Sequence, residues 1–225
     1  MNRINAIAKK HNLLVVEDAC QAWLAEYRGK KCGTLGNLGC FSFQNSKHIT
    51  CGEGGAVLGD DDAVMERAFA YHNFGRGGAS LGTKFRTTEF QAAILLAQIE
   101  RFQEQTQRRW ENAQYLTSKL RQIPGVLPHR LYDGVTRAAY HLYPFRIDPQ
   151  KFDGVTRDKF MSALRAEGIP CSGGYGRLNE APFIENTLSS RNFKRMYSPQ
   201  QLDHCRAQIE CPDNDLLCSE AVCFS

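Results

Sequence analysis

The sequence predicts an α/β fold, with an α/β portion over residues 1–105 and a smaller α+β portion over 106–225. Three observations predict it. In the first half, short apolar runs bounded by glycine or ending in acidic residues alternate with helical stretches, which is how a sheet with helices packed on it reads. A single helical pattern runs over 87–123 and is long enough to link two lobes. Beyond it the pattern changes to one alternating strand and one capped helix, with no internal repeat or low-complexity segment.

Each element follows from its residues. Residues 2–11 put Ile4, Ile7 and Ala8 on one helical face. "LLVVEDA" (13–19) is apolar, β-branched and acidic at its end, the pattern of a strand buried on both faces in a parallel sheet. "GCFSFQ" (39–44) and "GGAVLG" (54–59) are two more short strands. Residues 60–75 begin with aspartates suited to an N-cap and end near Gly75, so a helix is expected. The long helix opens on Thr87-Thr88-Glu89 and closes at Pro124-Gly125. Residues 138–148 alternate as a strand, and 155–169 form a capped amphipathic helix with Phe160, Ala163 and Leu164 inward. Residues 171–225 carry less pattern, with Gly173-Gly174, Pro182 and an acidic, cysteine-bearing end.

Composition narrows the function. Of 225 residues, 42% are hydrophobic and 23% charged, as in an ordinary soluble globular protein. The net charge of +4 is mild and no basic run exceeds a pair, which argues against nucleic acid as a partner, because phosphate binding needs clustered cations. The nine cysteines form no CxxC and no zinc-ligand spacing with histidine, so they read as reduced, small apolar fillers in a reducing compartment. No apolar run is long enough to span a membrane, and the N-terminal residues lack the apolar core of a signal peptide. A cytosolic protein is expected.

The chemistry gathers around "FSFQNSKHITCGEGGAVLG". Asp18 falls at the C-terminal end of an expected strand, where open α/β sheets bind their ligands. Gln21 follows it by three residues, and Ser42 precedes Lys47 by five in a glycine-bounded turn. Read alone, Asp18 is a strand-end carboxylate, Lys47 a solvated loop lysine and Gly52–Gly55 a tight turn. The "GRGG" at 75–78 follows no strand, as a dinucleotide fingerprint must. Together, a lysine amine and a carboxylate are what pyridoxal phosphate needs for its aldehyde and its ring nitrogen.

The ordered strings "VVEDACQA", "YRGKKCGTLGNLGCFSFQNSKHITCGEGGAVLGDDD", "HNFGR", "FRTTEFQAAILLAQIERF", "AYHLYPFRID" and "AEGIPCSGGY" resemble the DegT/DnrJ/EryC1/StrS family of pyridoxal-phosphate-dependent sugar aminotransferases. The later strings look most like its branch acting on keto-cyclitols and related rings. The resemblance implies a partial type I pyridoxal-phosphate transferase fold, a homodimer, and amino transfer from an amino acid to a keto-sugar or keto-cyclitol. It implies that Lys47 bonds the cofactor covalently, Asp18 pairs with its ring nitrogen, Gln21 lies near its 3-oxygen and Ser42 binds its phosphate. His48 is not expected to replace Lys47, which is still present.

Two departures accompany the resemblance. Family members are longer, so the chain is expected to be a fragment beginning just before the Asp-bearing strand and stopping before the family's last helix. Where the family has roughly Gly-x-Asn-Tyr-Arg-Met, this chain reads "GTKFRT" (82–87). Lys84 thus stands in place of an asparagine that reaches the partner subunit's cofactor phosphate, and a lysine could meet that phosphate as a point charge. The alternative expectation is a non-catalytic remnant that folds or dimerises without binding cofactor productively.

Overall fold

A computed structural model describes residues 1–77 and 80–224; Gly78 of the "GRGG" string and Ser225 lie outside the described residues. In chain order the elements are α1 (Asn2–Lys10), β1 (Val16–Asp18), β2 (Glu26–Tyr27), β3 (Lys30–Lys31), β4 (Leu38–Ser42), β5 (Gly55–Gly59), α2 (Asp62–His72), α3 (Glu89–Leu120), β6 (Val126–Pro128), β7 (Val135–Arg137), β8 (Tyr143–Ile147), α4 (Arg157–Ala166), α5 (Pro182–Leu188), α6 (Arg191–Met196), α7 (Pro199–Ala207), α8 (Pro212–Glu220) and β9 (Ala221–Phe224). The chain divides into two compact units. One comprises Met1–Leu116 with Arg130–His141, the other Thr117–His129 with Leu142–Ser225. The boundary expected at 105/106 falls inside α3, whose residues belong to the first unit through Leu116.

The first unit holds two three-stranded sheets, ordered β1-β4-β5 and β3-β2-β7. β1 runs parallel to β4, with Asp18 opposite Cys40, and β4 runs antiparallel to β5, with Ser42 opposite Gly55. Side chains alternate across a strand, so Glu17, Gly39 and Phe41 face one way and Val16, Asp18, Cys40, Ser42 and Val57 the other. The first face is the packed one: Phe41 is buried and packs at a tilt against Trp23, which also stacks with Phe43 and meets Phe102 of α3 edge to face.

The second face corrects the expectation of a strand buried on both sides. β1 has three residues, lies at the edge of its sheet, and leaves Leu13, Leu14 and Val16 at 61%, 70% and 57% exposure. A sheet packed on one face only cannot bury a continuous apolar run. The parallel register is restricted to β1 and β4 for the same reason: the next strand, β5, returns through the glycine turn as an antiparallel neighbour.

Glu17 locks the loop before β4. Its carboxylate accepts from the backbone N–H groups of Gly33 (2.9 Å), Leu35 (2.5 Å) and Gly36 (2.7 Å). Gly39 permits the same approach, since a Cβ there would meet the Gly33 carbonyl oxygen at 2.1 Å. α2 is capped as expected, by Asp61 accepting from the Val64 N–H at 3.1 Å, and the chain leaves it through Gly75 at φ +69°.

In the second unit β8 pairs with β6 and β9 in an antiparallel sheet. The alternation over 138–148 is realised over Tyr143–Ile147 only, where Tyr143, Phe145 and Ile147 are buried. Tyr140, at φ +53°, ends extended backbone before it. Thr156 caps α4 as expected, but Met161 is its buried residue and Ala163 is exposed, a correction of one position around the helix. Residues 182–220 form four short helices that the sequence pattern does not reveal. Among the described residues no helix is long and apolar enough to cross a membrane. All nine cysteines are free; Cys223 is buried, whereas Cys205 and Cys211 are exposed and fill no core.

Candidate active site

The site is built where β1 and β4 end side by side. Asp18 and Ser42 are on the same face of adjacent strands, and the chain leaves β4 into a loop carrying Lys47. That loop is tied down from both sides. The Phe43 carbonyl accepts from the Cys51 N–H (3.0 Å) and the Thr50 hydroxyl (2.9 Å), closing it into a compact turn. Gln98 of α3 accepts from the Thr50 N–H at 3.1 Å and donates to the Thr50 carbonyl at 2.5 Å. Ile49 is the anchor, only 1% exposed. Lys47 therefore rides on a fixed tip, its own N–H donating to the Gln44 carbonyl at 2.9 Å.

Around that tip the groups are polar and unequal. Asp18 is exposed and its Oδ1 accepts from the Cys20 N–H at 3.1 Å. Hydrogen bonds from Cys20 and the positive charge of Lys47 hold its carboxyl below the usual range. Burial, with Asp18 nearby, pushes the Cys20 thiol up to about 11, so it stays a thiol near neutrality. Among the described residues Lys47 forms no ion pair. Ser42 Oγ accepts from the Gln44 N–H at 3.2 Å, and the Ser42 carbonyl accepts from Trp23 Nε1 at 3.1 Å.

The remaining expected residues are more peripheral. Gln21 is exposed three residues beyond Asp18. Lys84 is exposed on the segment that pairs with the end of α2, bridging Asn73. Asp18 and Ser42 thus share one strand edge, Lys47 follows on the loop after β4 near enough for its charge to act on Asp18, and Gln21 is three residues beyond Asp18 along the chain. Lys84 belongs to a separate segment of the same unit.

Sequence reasoning passed over a second layer. His48 is half-buried, and its Nε2 lies 2.9 Å from the Ala139 carbonyl, a bond that requires Nε2 to carry the proton. Burial lowers its pKa to about 4, so the ring is neutral near pH 7. His141 packs against it, ring centres 5.6 Å apart, and is also lowered, first by burial and then by the charges of Lys47 and Arg109. Arg109 enters from α3, and its Nη1 is buried without a hydrogen-bond partner, as is Nδ1 of His48. His141 lies in the string "AYHLYPFRID", where its place invited a role; Arg109, in a helix rich in arginine, gave no local signal.

The family model for DegT/DnrJ/EryC1/StrS aminotransferases matches residues 1–212. The chain belongs to the DegT/DnrJ/EryC1/StrS aminotransferase family. Within it, the chain is 41% identical over 176 residues to a putative L-glutamine:3-amino-2,3-dideoxy-scyllo-inosose aminotransferase of Streptoalloteichus tenebrarius, covering 74% of this chain and 42% of that one. It is 32% identical over 215 residues to an L-glutamine:2-deoxy-scyllo-inosose aminotransferase of the same organism, covering 88% and 49%. Among solved family structures, 3-amino-5-hydroxybenzoic acid synthase superposes with a TM-score of 0.76 at 27% identity, covering 99% of this chain and 57% of that one. An aminotransferase from Brucella abortus gives a TM-score of 0.75 at 26% identity, covering 99% and 54%. The chain spans about half the length of these DegT-family relatives.

Proposed function

We propose that this chain is part of a pyridoxal-phosphate-dependent aminotransferase of type I fold. It moves the amino group of an amino acid onto a ketone of a sugar-like or cyclitol ring. The observation that carries the reading is the pairing of Lys47, on a fixed loop tip and free of any ion pair among the described residues, with an ionised Asp18 at the neighbouring strand end. The donor set has the chemistry the cofactor requires: an amine for an aldehyde, a carboxylate for a protonated ring nitrogen, and a hydroxyl and a second lysine for a phosphate. The names of the relatives support L-glutamine as donor and an inosose-type ketone as acceptor.

When bound, pyridoxal phosphate supplies an aldehyde and an electron-accepting ring. Asp18 holds the proton on the ring nitrogen, for which its lowered pKa suits it. Lys47 would hold the group through its amine and, with that amine free, would act as the base that takes the proton from the donor's α-carbon. Ser42 and Lys84 would hold the phosphate, Lys84 that of the partner subunit in a homodimer, and Gln21 would lie by the ring. Cys20 keeps its proton near neutrality, so no thiolate competes with Asp18 at this strand edge. The protein acts in the cytosol on small molecules.

The test is chemical. Pyridoxal phosphate added to the chain and fixed with borohydride is expected to label the peptide that contains Lys47. A label on Lys84, or on lysines generally, overturns the assignment.

A further inference from the structure

We propose that Trp23 is a positioning residue of this site: its indole supplies the next rung of the sheet where β1 ends, and so holds Ser42 in place for phosphate. The inference rests on the aminotransferase reading, in which Ser42 meets the phosphate, and adds the residue that keeps it there.

β1 and β4 run side by side as far as Asp18 opposite Cys40. One more rung follows, the Ala19 N–H donating to the Cys40 carbonyl at 2.9 Å. The chain then turns, with the Ala22 N–H donating back to the Ala19 carbonyl at 2.9 Å, and β1 is over. Carbonyls two residues apart on a strand point the same way, so that of Ser42 faces the edge β1 has just left. Had β1 continued, a backbone N–H would meet it there. The indole meets it instead: Trp23 Nε1–H donates to the Ser42 carbonyl at 3.1 Å. A part-buried carbonyl left without a donor would destabilise the strand end.

The ring is itself fixed. Its centre lies 4.4 Å from that of Phe41, 5.5 Å from Phe43 and 6.0 Å from Phe102 of α3. Phe41 and Phe43 are the two neighbours of Ser42 in the chain. The indole therefore grips β4 on either side of the serine from the packed face, and leaves the Ser42 side chain on the open face with Asp18. Trp23 also follows Gln21 on the segment that leaves β1, so one contact ties that segment to the one leading to Lys47. Filling the space needs only an aromatic ring. The hydrogen bond singles out Ser42, and that distinction can be tested.

Borohydride labelling of Lys47 in the 225-residue chain is measured against concentration, once with pyridoxal phosphate and once with pyridoxal, which has no phosphate. The parent should prefer pyridoxal phosphate. Trp23→Phe keeps a ring among the phenylalanines but removes the N–H. It should shrink the preference about threefold or more, the lower end of what one hydrogen bond contributes, while pyridoxal labels it as it labels the parent. Ser42→Ala should shrink the preference too, and adding Trp23→Phe to it should change little further, since the indole acts through Ser42. A role confined to packing would lower the melting temperature, or weaken both compounds alike, and leave the preference intact; that result overturns the inference. A parent without any preference overturns it as well. Should Trp23→Phe fail to fold, the parent decides by NMR. The Trp23 indole N–H resonance should shift more with pyridoxal phosphate than with pyridoxal, and the difference should vanish in Ser42→Ala; equal shifts in the parent overturn the inference. The two readings fail separately. If Lys47 is labelled and Trp23→Phe keeps the full preference, only the role of Trp23 fails; if neither compound labels Lys47, the aminotransferase reading fails and this inference with it.

Discussion

His48 ties the stability of the Lys47 loop to pH. Its folded pKa, lowered to about 4 by burial, lies below the ordinary 6.5, so the unfolded chain binds the proton more readily. Stability from the neutral ring is then fully present above pH 6.5 and lost as pH falls from there towards 4. The full shift corresponds to about 3 kcal/mol; the ring's partial exposure lets water share that cost and leaves roughly 1–2 kcal/mol. His48→Gln keeps a donor for Ala139 but does not titrate, and should flatten the urea stability profile across that window. An unchanged slope would refute the assignment. Asp18 has the opposite consequence for function: Asp18→Asn should still allow labelling of Lys47 but cut turnover at least a hundredfold, about 2.7 kcal/mol at the barrier. Near-native turnover in that variant would remove Asp18 from the mechanism. The places of Asp18 and Lys47 were legible in the sequence because strand ends and glycine-bounded turns announce themselves locally, whereas the packing of His48 was not. His141 and Arg109 were not, because the chain brings 139–141 and α3 to the loop only through tertiary packing.

At the level of elements, legibility followed length and capping. The 32-residue α3 and the Asp61- and Thr156-capped helices have long periodic stretches or clear caps, and their ends agree to within a few residues. The short helices of 182–220 lack an apolar stripe long enough to show a period, yet Ser198-Pro199 opens α7 with a full capping box to Gln201. Ser198→Ala should cost about 1 kcal/mol, read as a lower melting temperature with no change in the Lys47 label. The role of Glu17 was hidden for another reason. As one of two acidic residues closing an apolar run, it read as strand-end polarity, whereas it is the anchor of the 33–36 loop. Glu17→Gln replaces one of two carboxylate oxygens with a donor and removes the charge, and should cost about 2 kcal/mol or more. A melting temperature equal to that of the parent would mean the loop is held by glycine packing alone.

For the molecule as a whole, the open face of the β1-β4-β5 sheet is the feature that decides behaviour in solution. Leu13, Leu14, Val16 and Val57 are 61%, 70%, 57% and 43% exposed around an edge strand. Unpaired backbone groups beside an apolar surface form a template for association. The sequence of 13–19 describes a strand meant for burial on both sides, and within these residues only one side is covered. That mismatch between pattern and packing is the physical reason the sequence reading failed here. A chain of this composition is expected to associate through that surface, its weight-average mass in sedimentation rising with concentration. Leu14→Lys with Val16→Lys places two charges on the edge, which blocks edge pairing, and should return the chain towards monomer without loss of the Lys47 label. The explanation by the sheet edge is wrong if the parent stays monomeric at high concentration, or if the doubly charged variant associates as strongly. In the second case the exposed aromatic residues Phe69, Phe74, Phe85 and Phe90 become the surface to substitute next.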